Sequence, residues 1–168
     1  MERSTAVAPR TPGVGRSVVA AICFAAAVLA TALVGGLAAS GSGGVYAELE
    51  VPTWAPPSWL FSPVWTALYV LIAVAGWLVW RAAGLAGAKT FFVVYVLQLV
   101  LNALWTPLFF ALGLYGTALI EIVFLDVAVA TAIVLAWRHS RLAALLLAPY
   151  LAWSLFATAL NLAIWLLN

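Results

Sequence analysis

The sequence predicts an all-α integral membrane protein, a bundle of five transmembrane helices. Of its 168 residues, 67% are hydrophobic and only 7% are charged, whereas a soluble domain carries about 25% charged residues. In a bilayer the backbone polar groups of such a chain must be paired internally, in helices or in a closed barrel. The apolar runs are continuous rather than alternating, which argues against a barrel.

The chain begins with a predicted disordered arm, residues 1–16, which is rich in Pro, Gly and Arg. A single five-helix domain follows, residues 17–168. Its first span, residues 17–39, is long enough to cross a bilayer core, which needs about 20 helical residues. A cleaved signal peptide is the alternative for this segment, because arginines precede an apolar run. We expect a retained helix.

Four more apolar runs follow the first span. They are predicted at residues 60–80, 90–111, 117–137 and 142–167, and Pro149 interrupts the last of them. The one long connection, residues 40–59, contains GSGG and PTWAPP and is predicted to be a loop. Five spans place the two termini on opposite sides of the membrane.

All seven basic residues fall on one side of this arrangement. Glu48 and Glu50 fall on the other side, in the long loop. The positive-inside rule therefore places the N-terminus inside and the long loop outside. The basic residues are spread over the chain and form no patch, so no nucleic-acid partner is expected. They are Arg3, Arg10, Arg16, Arg81, Lys89, Arg138 and Arg141.

The tryptophans in or beside the spans fall into two groups. Those near span ends are typical of interface anchors, with the ring in lipid and the N–H toward water. Trp65, Trp105 and Trp153 lie within spans, and a rise of about 1.5 Å per residue places them in the outer half of the bilayer. The long loop, with Trp54, Pro56 and Pro57, lies on the same side and is predicted to close over this layer as a lid. The anchors are Trp59, Trp77, Trp80, Trp137 and Trp165.

Helical spacing groups the tryptophans with smaller and polar residues. Trp65 and Tyr69 are four residues apart, and Asn102 and Trp105 are three apart. Trp153, Ala157 and Asn161 step by four and share one helix face. A small residue beside large rings leaves room either for a neighbouring helix or for a ligand. Spacing alone leaves both interpretations open.

Polar side chains within the spans are costly and often functional. Glu121 and Asp126 are five residues apart, so they do not share one helix face and are not predicted to form a catalytic acid pair. We expect Asp126 to take part in structural hydrogen bonding. The single histidine, His139, lies in an inner loop, and the single cysteine, Cys23, lies in an apolar run. No metal site and no nucleophile–histidine arrangement is predicted.

Three stretches resemble the translocator protein family, which is also called the tryptophan-rich sensory protein or peripheral benzodiazepine receptor family, TspO/MBR. They are VPTWAPPSWLFSPVWTALY, QLVLNALWTPLFF and APYLAWSLFATALN. The resemblance covers residues 45–168 and a compatible first span. It implies a five-helix bundle with a ligand cavity near one membrane face, covered by the first loop, and a homodimer. The ligands that it implies are porphyrins such as protoporphyrin IX, isoquinoline and benzodiazepine drugs, and in animals cholesterol.

The resemblance also implies roles for residues in these three stretches. Trp65 would form a pocket wall, and with Trp105 and Trp153 it would stack on a flat macrocycle. Asn102 and Asn161 would orient the polar edges of the ligand. Ala157 would keep the cavity open, and Tyr69 joins the site by its spacing from Trp65. Porphyrin is expected as a ligand, and no obligatory cofactor is expected.

The chain departs from the family pattern in its first loop and at its C-terminal end. Val45 and Val51 stand where the family commonly has Trp and Lys. The last span lacks the Tyr and basic residue of the animal cholesterol motif, so sterol recognition by that motif is not expected.

The expected function is a membrane receptor for tetrapyrroles and related hydrophobic ligands, with a sensory or transport role in stress or porphyrin homeostasis. One alternative is a light- and oxygen-dependent porphyrin-degrading enzyme, in which Trp65 and Trp153 would act. A second alternative is a porphyrin or sterol transporter. The Ala-rich composition suggests a bacterial protein, located in the cell membrane or the outer membrane.

Overall fold

The computed structural model describes residues 13–40 and 42–168, and all regular elements in these two segments are helical. Five of the described helices are long and apolar enough to cross a membrane. The predicted fold class, an all-α integral membrane protein with five spans, is therefore confirmed. Most of the predicted arm, residues 1–12, lies outside the described residues.

Six α-helices make up the described chain. The second helix is short and lies within the predicted loop, and the other five are the spans. A single 3₁₀ turn, Ser58–Leu60, precedes the third helix, and a π-helical turn, Pro107–Ala111, follows the fourth. In chain order the helices are α1 (Val14–Ala38), α2 (Ser42–Glu48), α3 (Phe61–Gly87), α4 (Lys89–Thr106), α5 (Tyr115–Trp137) and α6 (Arg141–Leu167).

Helices α1 and α3 each extend at one end beyond the apolar run that predicts them. Helix α1 begins at Val14 rather than residue 17, and α3 ends at Gly87 rather than residue 80. Backbone hydrogen bonding does not depend on hydropathy, so a helix can continue past its apolar run, where long polar side chains reach the interface. Arg81 is one of these, and its guanidinium carbon lies 4.8 Å from the centre of the Trp77 ring. Hydropathy marks the embedded segment, not the end of the helix.

The five spanning helices pack as a closed ring. Helix α1 contacts α3 and α4, α3 also contacts α6, and α5 lies between α6 and α4. The order around the ring is therefore α1, α3, α6, α5, α4. Short connections join α4 to α5 and α5 to α6, which are neighbours in this ring, whereas the short α3–α4 connection passes across the end of α1 and the long connection that contains α2 joins α1 to α3.

The half of the ring away from α2 is tightly packed. Ile72 and Val79 are completely buried there, and the Tyr95 hydroxyl donates a hydrogen bond to the Ile72 carbonyl oxygen at 3.0 Å. A Cβ atom at Gly76 would lie 2.8 Å from the Tyr95 ring and 2.9 Å from the Phe24 ring. Glycine is required at this position because α1, α3 and α4 meet too closely for a larger residue.

Candidate ligand-binding site

A cavity of about 450 Å³ lies in the half of the bundle that carries α2. Its walls come from the last turns of α1, the first turns of α3 and the junction between α4 and the π-helical turn, and Tyr46 of α2 contributes from the loop. Ligand pockets for small molecules span roughly 300–1,000 Å³. The cavity is therefore large enough for a small-molecule ligand.

One wall of the cavity is aromatic. Trp65 and Tyr69 of α3 line it, and their ring centres are 5.5 Å apart with the planes tilted by 31°. Trp65 also meets the buried Tyr150 of α6 edge-on, at 6.1 Å between ring centres. Trp105 of α4 lines the cavity from another side and stacks on Phe109 at 5.2 Å. These rings present a broad apolar surface to any occupant.

The facing wall is built from small residues of α1. They are Ala32, Gly35, Gly36 and Ala39, which follow one another along one face of the helix. A Cβ atom at Gly35 would lie 3.4 Å from Thr106 Oγ1, and one at Gly36 would meet nothing within 4 Å. These four residues were not predicted to belong to the site. Their spacing was the available signal, but small residues are too frequent in α1 to single them out.

Asn102 holds the aromatic wall and does not line the cavity. Its side chain is 4% exposed. Its Oδ1 accepts a hydrogen bond from the Tyr69 hydroxyl at 3.0 Å, and its Nδ2 donates one to the Tyr150 hydroxyl at 3.1 Å. Asn102 therefore connects α4 to α3 and α6 and fixes the orientation of Tyr69.

Asn161 fixes the orientation of Trp105, as Asn102 does for Tyr69. Its Oδ1 accepts a hydrogen bond from Trp105 Nε1 at 3.2 Å, and its Nδ2 donates one to the Tyr115 carbonyl oxygen at 2.9 Å. The polar atoms of both predicted asparagines are thus engaged with protein groups. Each asparagine positions an aromatic side chain that lines the cavity.

A second, much smaller space of about 10 Å³ lies between the π-helical turn and α6. Ala157 and Asn161 line this space. Four residues line both this space and the larger cavity and separate one from the other. Ala157 is buried beside Trp105 and not beside the larger cavity. The shared residues are Tyr46, Phe61, Trp105 and Phe110.

Trp153 lies one layer behind the cavity. Its ring meets Phe61 edge-on at 5.9 Å and lies 5.3 Å from the ring of Phe156. Phe61 in turn lines the cavity. The indole nitrogen of Trp153 is buried and has no hydrogen-bond partner among the described residues. Trp153 therefore supports the wall through Phe61.

The predicted lid folds against the same end of the bundle. The Tyr46 hydroxyl donates a hydrogen bond to the Pro56 carbonyl oxygen at 3.1 Å, and burial raises the pKa of Tyr46 above its ordinary value. Pro57 precedes the 3₁₀ turn, and the Trp54 ring meets Phe156 edge-on at 5.7 Å. The loop is thus attached both within itself, through Tyr46, and to α6.

The carboxylates within the membrane lie on α5, away from the cavity lining. Asp126 accepts hydrogen bonds from the hydroxyls of Ser154 and Thr158 on α6. The carboxylate oxygens of Glu121 are buried without a hydrogen-bond partner among the described residues. Within the same residues no group of three or more His, Cys, Asp or Glu could hold a metal ion.

Comparison with known proteins adds independent information on this chain. A family model described as the TspO/MBR family matches residues 21–166. The tryptophan-rich protein TspO of Archaeoglobus fulgidus is 47% identical over 73% of this chain and 79% of its own length. The human translocator protein is 40% identical over 71% of this chain and 72% of its own length. The tryptophan-rich sensory protein of Cereibacter sphaeroides is 37% identical over 69% and 72%, respectively.

Proposed function

The chain belongs to the TspO/MBR family, and we propose that it is a membrane receptor that binds flat hydrophobic ring compounds, above all tetrapyrroles such as protoporphyrin IX. The names of two relatives, tryptophan-rich sensory protein and translocator protein, support a sensory or transport role. We place the protein in a bacterial cell membrane or outer membrane, with its N-terminus on the inner side.

The observation that carries this proposal is the cavity of about 450 Å³ with its aromatic wall. Trp65, Tyr69 and Trp105 offer ring faces and edges, against which a planar macrocycle stacks favourably. The facing wall of α1 carries no large side chain, so the space between the walls stays open. Hydrogen bonds to Asn102 and Asn161 hold two of the rings in place before a ligand arrives, which lowers the entropy cost of binding.

Filling the cavity tests the proposal. Ala32 lines it, whereas the neighbouring Leu33 is exposed on the bilayer side of α1. We expect Ala32→Phe to remove saturable binding of protoporphyrin IX, measured in lipid nanodiscs in the dark by quenching of tryptophan fluorescence. Leu33→Phe introduces the same side chain on the same helix and should bind like the wild type. Equal binding by all three proteins would overturn the proposal.

One observation favours a second candidate function, a light- and oxygen-dependent enzyme that oxidises its porphyrin. Trp65 lines the cavity and adjoins two further oxidisable rings, those of Tyr69 and Tyr150. Trp153 does not line the cavity, so Trp65 is the residue placed for direct electron transfer with a bound pigment.

The two candidates differ in their response to light. If the protein is an enzyme, Trp65→Phe stops the loss of the porphyrin Soret band under illumination in air, and Trp153→Phe has a smaller effect. In the dark, Trp65→Phe should weaken binding by about 1 kcal/mol, because one aromatic contact is reduced. Bleaching that is equal for wild type, both variants and empty nanodiscs would exclude the enzyme.

A further inference from the structure

We propose that the ligand reaches the cavity sideways from the bilayer, through a gap between the loop-side ends of α1 and α3, and that its polar edge then rests on hydroxyl groups at this gap. The inference depends on the proposed function, because it assumes that the cavity binds a flat ring compound. It adds the route of that compound and its orientation.

Helices α1 and α3 touch at one end and separate at the other. Toward the inner end, Trp77 Nε1 donates a hydrogen bond to the Ser17 carbonyl oxygen at 3.0 Å. A Cβ atom at Gly76 of α3 would lie 2.9 Å from the Phe24 ring of α1. Toward the loop the cavity takes the place of this contact, and a Cβ atom at Gly36 would meet nothing within 4 Å.

The gap borders the lipid-facing surface on both helices. On α1 the cavity-lining Gly36 is exposed, and the adjacent Leu37 is 74% exposed. On α3 the cavity-lining Thr66 is exposed, and Val70, one turn further, is 59% exposed. Apolar side chains with such exposure in a spanning helix face lipid. Exposed residues of both helices thus border the cavity on the side that faces lipid.

The loop closes the other approach, from water. Tyr46, in the α2 part of the loop, lines the cavity. Its hydroxyl donates a hydrogen bond to the Pro56 carbonyl oxygen, and its ring meets Phe61 edge-on at 5.7 Å. Asn168, which directly follows α6, accepts a hydrogen bond from the Glu50 backbone N–H at 3.1 Å and donates one to the Glu50 carbonyl oxygen at 3.0 Å. A ligand arriving from water would have to break these contacts, whereas a ligand arriving from lipid would not.

Hydrogen-bond donors are distributed unevenly within the cavity. On the aromatic wall they are already used, because the Tyr69 hydroxyl donates to Asn102 and the Trp105 N–H donates to Asn161. At the gap, Ser58, Ser62 and Thr66 line the cavity at intervals of four residues, and because the Thr66 hydroxyl donates to the Ser62 carbonyl oxygen at 2.8 Å, the donors left for a ligand are the hydroxyls of Ser58 and Ser62. No charged side chain lines the cavity among the described residues. A ring compound therefore enters with its apolar edge first and keeps its polar edge at the hydroxyls.

This orientation matches that of an amphipathic ring compound in a bilayer, whose polar edge points to the headgroups. The three hydroxyls lie in the first turns of the span, which is the depth of the headgroup boundary. The ligand moves from lipid into the cavity without turning over, and its polar edge stays hydrated throughout. The ligand thereby avoids the free-energy cost of moving its polar edge through the hydrocarbon region.

Binding kinetics test this route. Protoporphyrin IX is dissolved in the lipid of nanodiscs that hold the full chain, and tryptophan quenching is followed in the dark. Thr66→Phe narrows the gap and removes a hydroxyl that lines it, so the association rate should fall by about tenfold, and the dissociation rate need not fall with it. Gly36→Leu narrows the gap from the α1 side and should act alike. Val70→Phe places the same ring one turn away on the lipid face and should leave both rates unchanged.

Asn168→Ala frees the loop and separates the two routes. We expect it to leave the association rate unchanged. If it speeds association while Thr66→Phe and Gly36→Leu behave like Val70→Phe, the ligand passes beneath the loop and the inference is wrong. An increase in Kd with an unchanged association rate in both gap variants would also overturn it. Absence of saturable binding by the wild type would instead refute the proposed function, on which the route depends.

Discussion

At the scale of single residues, two asparagines decide how the aromatic wall is arranged. Asn102 and Asn161 are both buried, and each bonds to the polar atom of a ring that lines the cavity. A side-chain amide offers both a donor and an acceptor, so each asparagine also makes a hydrogen bond to a residue of a further helix. Asn102 bonds to Tyr150, and Asn161 bonds to the Tyr115 carbonyl oxygen. The sequence predicted that these residues belong to the site, but not that their polar atoms are satisfied within the protein.

Replacing Asn102 should therefore destabilise the protein as well as weaken binding. Asn102→Leu leaves the hydroxyls of Tyr69 and Tyr150 unpaired, at a cost of about 1–3 kcal/mol. Unfolding by a denaturing detergent would measure this loss. In the Tyr69→Phe background, Asn102→Leu should lower the free energy of unfolding by less, because one of the two hydroxyls is already absent. Additive effects of the two substitutions would show that the Tyr69–Asn102 hydrogen bond does not stabilise the fold.

At the scale of elements, helix ends and irregular turns differ most from the prediction. Helix α3 continues past its apolar segment to Gly87 and contains one residue, Gly84, with φ 66° and ψ 177°. A π-helical turn begins at Pro107, whose carbonyl oxygen accepts a hydrogen bond from the Leu112 N–H at 3.0 Å. Because this turn ends α4 beside the cavity, it places Phe109 and Phe110 against Trp105. Hydropathy carries no information on either irregularity.

Gly84 provides a test at this scale. Its combination of φ and ψ is accessible essentially to glycine alone, so Gly84→Ala should destabilise the protein by about 1–3 kcal/mol. Gly87→Ala is the matched control, since its φ is not positive and an added Cβ atom would make only an ordinary contact with the Ala83 Cβ, at 3.4 Å. Thermal unfolding in detergent would compare the two variants. Equal melting temperatures would show that the chain near Gly84 relaxes without cost.

At the scale of the whole molecule, the basic side chains and the cavity lie at opposite ends. Arg16, Arg81, Lys89, Arg138 and Arg141 lie at or beside the helix ends away from α2. Glu48 and Glu50 lie at the end that carries the cavity and its loop. The positive-inside rule predicts that the cavity lies in the outer half of the membrane.

This orientation is testable by labelling in whole cells. In a Cys23→Ala background, Glu48→Cys should react with a membrane-impermeant maleimide from outside. His139→Cys, in the turn between α5 and α6, should react only after the membrane is permeabilised. The reverse pattern would place the cavity in the inner half and contradict the assignment.

Composition and periodicity alone determined that this chain spans a membrane five times as helices. That outcome follows from the bilayer, which requires long apolar segments with internally paired backbones, and such segments are visible in the sequence. The three tryptophan-containing stretches also predicted the family. Helical spacing placed Trp65, Tyr69 and Trp105 on faces where either a ligand or another helix could pack.

Only the tertiary structure decided which of these faces surround open space. Trp65, Tyr69 and Trp105 line the cavity, Trp153 lies behind Phe61, and Ala157 lines the smaller space. The sequence could not make this distinction, because nearly every residue of a spanning helix is apolar. Whether such a residue faces lipid, a neighbouring helix or a cavity depends on the order of the helices in the ring and on where α1 separates from α3.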